Sequence, residues 1–259
     1  MRKRPAFDDI FKFRDARINY RVLGAGKPVI LLHGSMASRV WEGFDKELAK
    51  YFKVYVLELP GFGASDTVKG ERHNTDLFAK VLGAFAKKMD LIRVPVLALS
   101  LGTVVALKAA AKGFILGKLV LVGMPGRVNG GAGFFDVAIP YLLKRSLFSS
   151  WWGKRILGLL LLTNVGRGGK RKTDNFLKIL EQTDWRSVVE INYKKEIEED
   201  LPKALKKAKN KKLFLYGEYD LLKNTTQEMI RSYEIVPKAG HNAFRGNKKE
   251  TLAKIRKFL

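Results

Sequence analysis

The chain has 259 residues, 46% of them hydrophobic, which is enough for one large α/β domain carrying an insertion without requiring tandem domains. It contains no cysteine, which excludes disulfides, thiolate metal sites and a cysteine nucleophile. Lys+Arg number 49 against 25 Asp+Glu, a formal charge of +24 that favours anionic partners. Because the lysines are spread along the whole chain with no RNP, helix-turn-helix or zinc-finger signature, no nucleic-acid partner is expected.

The start, Met1-Arg2-Lys3-Arg4-Pro5-Ala6-Phe7-Asp8-Asp9, leads to acids instead of an apolar stretch, so no signal peptide is expected. The longest apolar run, residues 156–162, is interrupted by Gly158 and falls well short of the about 20 residues that span a bilayer. A cytoplasmic protein is the expectation.

Alternating residues over 10–22 predict two strands of a hairpin, and Pro28-Val29-Ile30-Leu31-Leu32 predicts a short buried strand ending at His33-Gly34. An amphipathic helix around 41–51 and a strand at 54–57 follow. Residues 76–89 carry helical spacing through Leu77, Val81, Leu82 and Phe85, with Thr75 as the expected cap. Next come an apolar strand leading to Ser100, an Ala/Val-rich helix from Leu101 to about Lys112, and a strand at 119–122. Strands alternating with helices imply a mostly parallel sheet covered on both faces. Between about 127 and 200 the alternation stops. That segment is helical in pattern, rich in aromatics (Phe134, Phe135, Tyr141, Phe148, Trp151, Trp152) and broken by glycines. The rhythm then resumes with a strand at 213–216, a short helix around 227–231, a strand at 234–236 and a closing helix from about Lys248. The expected organisation is a core of 1–126 and 201–259 with a helical lid inserted over 127–200.

Ser100 lies in Ala98-Leu99-Ser100-Leu101-Gly102, where a strand meets a helix and small residues stand two positions either side. A serine mounted on so sharp a turn needs those small neighbours, because the incoming strand and outgoing helix approach closely there. A nucleophilic serine also needs a base, and a basic imidazole needs an acid to orient it. His241, in Gly240-His241-Asn242, follows the last strand, and Asp220, in Tyr216-Gly217-Glu218-Tyr219-Asp220, follows the one before. All three candidates therefore fall beyond the carboxyl ends of strands in a parallel sheet, where sites of open α/β sheets collect. Glu218 is the alternative acid. His33 reads as a loop-shaping residue, and His73, in the polar loop Gly70-Glu71-Arg72-His73-Asn74, as a solvated surface residue. Pro60-Gly61-Phe62-Gly63 reads as a structural turn and not a phosphate cradle, since no Lys-Ser/Thr follows.

Five segments in order carry a family resemblance: Leu31-Leu32-His33-Gly34-Ser35 followed by Trp41, Leu59-Pro60-Gly61-Phe62-Gly63-Ala64-Ser65-Asp66, the Ser100 turn, Gly217-x-x-Asp220, and Gly240-His241. The chain resembles the α/β-hydrolase superfamily in its lid-bearing esterase, lipase and carbon–carbon-bond hydrolase branch. The resemblance implies a mostly parallel eight-stranded sheet with helices on both faces and an inserted helical lid. It makes Ser100 the nucleophile, His241 the general base and then acid, Asp220 its orienting partner, and the backbone N–H groups of Ser35 and Leu101 the oxyanion hole. Each such donor is worth about 3 to 4 kcal/mol to the transition state. Thr103 stands where many relatives have a second glycine, Ala98 replaces a commoner glycine, and Glu58 replaces an aspartate.

The implied activity is hydrolysis of carboxylic esters through an acyl-enzyme, with no metal and no organic cofactor. A thioesterase, a lipase or a carbon–carbon hydrolase would use the same triad, and a small-molecule-binding protein of the same fold is the rival from another class. An epoxide hydrolase or haloalkane dehalogenase is disfavoured, since those relatives carry an aspartate where Ser100 stands. Residues 137–173 hold eight basic residues and no acidic one, interleaved with Tyr141, Phe148, Trp151, Trp152 and a leucine-rich run. Such a pattern suits either a lid whose apolar face roofs the pocket or an interfacial helix touching anionic membrane surfaces. Either way a small hydrophobic ester is the expected substrate.

Overall fold

The computed structural model describes residues 9–35, 38–126, 184, 187, 190–192, 194–226 and 228–259. Eight strands form one sheet in the order β1-β2-β4-β3-β5-β6-β7-β8. Strand β1 (Asp9–Phe13) and β2 (Ala16–Leu23) form the expected antiparallel hairpin, and β2 runs antiparallel to β4 (Lys53–Leu57). From β4 onward every pairing is parallel, through β3 (Pro28–Leu32), β5 (Val96–Leu99), β6 (Leu119–Val122), β7 (Lys212–Gly217) and β8 (Glu234–Val236). Strands β5 and β6 are buried at every position, which is why they read as continuous apolar runs with no alternation.

Two apolar layers lie on the two faces of the sheet. One packs α2 (Thr75–Lys88), α3 (Leu101–Ala111) and α4 (Asp200–Lys207) against residues such as Ile30, Ala98 and Leu121. The other packs α1 (Phe44–Leu48), α5 (Ala243–Gly246) and α6 (Lys248–Phe258) against Leu31, Leu97 and Val120. Nine of the eleven residues of α3 are buried, as befits a helix that is apolar all round. Lys108 is the exception in chemistry but not in burial: it pairs with Asp76 at 2.9 Å and Asp200 at 3.1 Å, tying α3 to α2 and α4. Burial alone would lower the Lys108 ammonium, but the two carboxylates outweigh it and hold it above the usual lysine value.

Three local expectations are corrected. The cap of α2 is Asn74, whose side chain accepts from Leu77 N–H at 2.9 Å, while Thr75 N–H and hydroxyl both turn to the buried Glu196. The helical turn after β7 is a 3-10 helix at Leu221–Thr225, because Asp220 caps it directly, and residues 228 and 229 form a turn. His73 is not solvated. Its ring is only 2% exposed, accepts from Val68 N–H at 3.1 Å through Nε2, and meets Ser187 Oγ at 2.7 Å through Nδ1.

Ser187 in turn donates to the Pro60 carbonyl at 2.9 Å, and Asp184 N–H donates to the Gly61 carbonyl at 2.6 Å. Glu190 takes His73 N–H at 2.5 Å, and its carbonyl accepts from Arg72 Nε at 2.9 Å. A π-helical turn, Lys194–Glu199, then leads into α4. Among the described residues no helix is long and apolar enough to cross a membrane. Most of the expected lid, including the basic stretch 137–173, lies outside the described residues.

Candidate active site

The turn between β5 and α3 crowds the backbone. A β-carbon on Gly102 would stand 2.6 Å from the carbonyl oxygens of both Leu32 and His33, so the small residue required there is a steric necessity. Ser100 itself adopts φ 51° and ψ −120°, a left-handed conformation that a side-chain-bearing residue enters at a cost of order 1–3 kcal/mol. Its N–H donates to the Val122 carbonyl at 2.9 Å, anchoring the turn across the end of β6. The loop after β3 closes on the same point: a β-carbon on Gly34 would lie 2.9 Å from Ser100 Cβ.

Asp220 and His241 are brought together by the ends of β7 and β8. The Asp220 carboxylate is 2% exposed; its Oδ1 accepts from Leu222 N–H at 3.1 Å, and its Oδ2 faces His241 Nδ1 at 3.1 Å. Glu218 is exposed and points elsewhere. His241 lies on the Ser100 side of the sheet edge: Gly123, immediately after β6, runs beneath its ring. Among the described residues no hydrogen bond joins Ser100 Oγ to the imidazole, whose side chain remains 31% exposed. The Leu101 N–H opens helix α3 and the Ser35 N–H opens the turn after β3; among the described residues neither donates to a protein acceptor.

Aromatic packing links the two loops that flank this edge. Trp41, after the Ser35 turn, and Phe244, after His241, pack with ring centroids 4.6 Å apart, and Phe44 lies 4.8 Å from Phe244. His33 is fully buried, donating from Nδ1 to the Gly34 carbonyl at 2.5 Å and accepting from Leu59 N–H at 2.9 Å through Nε2. Burial pushes it down to about 4, so it is neutral through the ordinary pH range. Its role in shaping the loop is therefore physical: it joins the 33–35 turn to the 58–66 segment. Glu58 serves that second segment, accepting from Asn19 Nδ2 at 3.0 Å and Ala64 N–H at 2.9 Å.

Two residues of this edge were not singled out from the sequence as part of the site. Gly123 follows a fully buried strand, the one signal that could have pointed to it. Thr103 stands out in the sequence only as a departure from glycine, yet its hydroxyl donates to the Ser100 carbonyl at 2.6 Å. A Ser or Thr three residues into a helix reaches back to its own cap carbonyl often enough for that contact to be legible.

A model of the alpha/beta hydrolase family matches residues 29–250, and the chain belongs to that family. The 2-hydroxy-6-oxononadienedioate/2-hydroxy-6-oxononatrienedioate hydrolase 1 of Pseudomonas putida is 32% identical over 134 residues, covering 49% of this chain and 45% of that protein. The chain spans less than half the length of the curated relatives it matches. Among solved structures, a thermophilic esterase from Thermogutta terrifontis superposes with a TM-score of 0.80 at 19% identity over 98% of each chain. A bromoperoxidase from Bacillus anthracis gives 0.80 at 19% identity over 97% of this chain and 99% of the other. At these identities the likeness is one of fold. The sheet order and the parallel run from β4 to β8 agree with the α/β-hydrolase architecture expected from the motifs.

Proposed function

We propose that this hydrolase cleaves carboxylic esters with an apolar acyl or alcohol part, with Ser100 as nucleophile, His241 as general base and then acid, and Asp220 as the residue that orients it. The observation that carries the reading is the strained Ser100 backbone at the same sheet edge as the 3.1 Å Asp220–His241 pair. A buried carboxylate facing Nδ1 favours the tautomer whose free nitrogen, Nε2, can accept the Ser100 proton. Oγ then attacks the ester carbonyl, its proton passes to Nε2, and the oxyanion is received by the N–H groups of Leu101 and Ser35. Collapse expels the alcohol with the proton held on His241. Water, deprotonated by the same ring, hydrolyses the acyl-serine and regenerates Ser100. Every step uses protein groups and water, with no metal or organic cofactor.

The apolar preference rests on Tyr141, Phe148, Trp151 and Trp152 in the inserted segment and on Tyr219 and Leu221, which flank Asp220 and are exposed. A second reading, hydrolysis of a carbon–carbon bond by the same triad, is favoured by the likeness to the Pseudomonas putida 2-hydroxy-6-oxononadienedioate/2-hydroxy-6-oxononatrienedioate hydrolase. The test is a panel of p-nitrophenyl esters and acyl thioesters of graded chain length, with 2-hydroxy-6-oxononadienedioate alongside, run on wild type and Ser100→Ala, together with fluorophosphonate labelling. Ester turnover that depends on Ser100 supports the first reading. Turnover of the dienedioate alone favours the second, and no labelling of Ser100 in the folded protein overturns both.

A further inference from the structure

We propose that two buried side chains, Thr103 and His33, aim the two oxyanion amides by gripping the oxygen of the very peptide group that carries each N–H. The inference rests on the reading of Ser100 as nucleophile and of Leu101 and Ser35 as oxyanion donors. In a trans peptide the C=O and the N–H lie in one plane and point in opposite directions, and the described backbone has no cis peptide. The N–H of Leu101 therefore shares a rigid plane with the Ser100 carbonyl, and the N–H of Ser35 shares one with the Gly34 carbonyl.

Each of those oxygens is held from behind. Ser100 O accepts from Thr103 N–H at 2.9 Å and from the Thr103 hydroxyl at 2.6 Å. Gly34 O accepts from His33 Nδ1 at 2.5 Å. Rotating either plane to misdirect its N–H would pull the oxygen off these donors. The donors themselves are fixed. Thr103 is fully buried in the first turn of α3, and the His33 ring is pinned at Nε2 by Leu59 N–H and edge-on against Phe62, with centroids 5.0 Å apart. Because Nε2 accepts a hydrogen bond, the proton resides on Nδ1, where it faces Gly34 O. A hydrogen bond to an amide oxygen also polarises that amide and strengthens its N–H as a donor. Thr103 and His33 touch no substrate atom in this scheme. They are positioning residues whose effect is confined to the charge that develops in the transition state.

The test uses paired substitutions in the full-length protein. Thr103→Val deletes the hydroxyl at nearly constant volume, and Thr103→Ser keeps it. Valine should lower kcat about tenfold with KM within about twofold, and should weaken a boronic acid that forms a tetrahedral adduct by the same factor; serine should restore most of both. At His33, asparagine can place an amide donor near the Nδ1 position and leucine cannot, so His33→Asn should retain more kcat than His33→Leu. If His33→Leu fails to fold, the Thr103 pair decides. A folded Thr103→Val with wild-type kcat, a loss that appears in KM alone, or no rescue by serine overturns the inference while leaving the function intact. Ester hydrolysis that survives Ser100→Ala removes the functional reading, and the inference with it.

Discussion

Asp220 and Glu218, two residues apart on one turn, face opposite ways: Asp220 meets His241 Nδ1 at 3.1 Å, whereas the exposed Glu218 accepts the Lys238 N–H at 2.8 Å. The two carboxylates therefore have separable consequences. Asp220→Asn should leave the fold intact and lower kcat by roughly three to four orders of magnitude, because an amide does not enforce the tautomer that leaves Nε2 free. Glu218→Gln should stay within about twofold of wild type. Steady-state kinetics on one ester decide between the two acids, and the opposite pattern would assign the role to Glu218.

Gly123 has no room for a side chain under His241. A β-carbon there would lie 2.7 Å from Cε1, 2.8 Å from Nδ1 and 3.1 Å from Asp220 Oδ2, and the backbone sits at φ 58°. Gly123→Ala should displace the imidazole and cost about 100-fold or more in kcat. The left-handed backbone should add a stability loss of about 1 kcal/mol. Full activity with an unchanged melting temperature would mean that β6 shifts to accommodate the methyl group.

His33 makes stability depend on pH. It titrates at about 4 in the folded protein, against an ordinary 6.5. Between those values the unfolded chain binds the proton and the native one does not, so this contribution is complete above pH 6.5 and is lost as the pH falls toward 4. The size is about 3 kcal/mol. Urea unfolding at several pH values should show a slope shallower by about one proton over that interval in His33→Asn. Parallel slopes in the two proteins would refute the assignment.

Ser100 holds a left-handed backbone against its own β-carbon. Ser100→Ala and Ser100→Gly should both abolish ester turnover, but only glycine relieves the conformation and should stabilise the protein, by about 1 kcal/mol. Equal stability of the two variants would show that the turn carries no strain.

What the chain reveals by itself follows the distance over which its residues interact. Strands β3, β5 and β6 are runs of buried aliphatic residues, and the turns carrying Ser100, Asp220 and His241 follow strands directly, so both were readable from local pattern. His73 was not. Its neighbours Glu71 and Arg72 are polar, and the group that covers it, Ser187, is 114 positions away. The cap of α2 sits one residue before the one its sequence suggests, because Thr75 and Asn74 are both good caps and a remote acid, Glu196, claims the threonine. The short helical turn expected around 227–231 lies earlier, at Leu221–Thr225, where the acid that faces His241 also accepts the Leu222 N–H and caps it.

The bonds from Asp184, Ser187 and Glu190 to the Pro60, Gly61 and His73 backbones and to the Arg72 and His73 side chains have a bearing on modular exchange. Several of these partners are main-chain atoms, which every sequence supplies, so these contacts are only partly written in side chains. A chimera that takes a foreign insertion should therefore be spliced on the near side of Asp184, keeping residues 184–199 with the host sheet. Cutting beyond Glu196 would leave Thr75, at the first turn of α2, without its buried acceptor, and the damage would then reach a helix far from the splice.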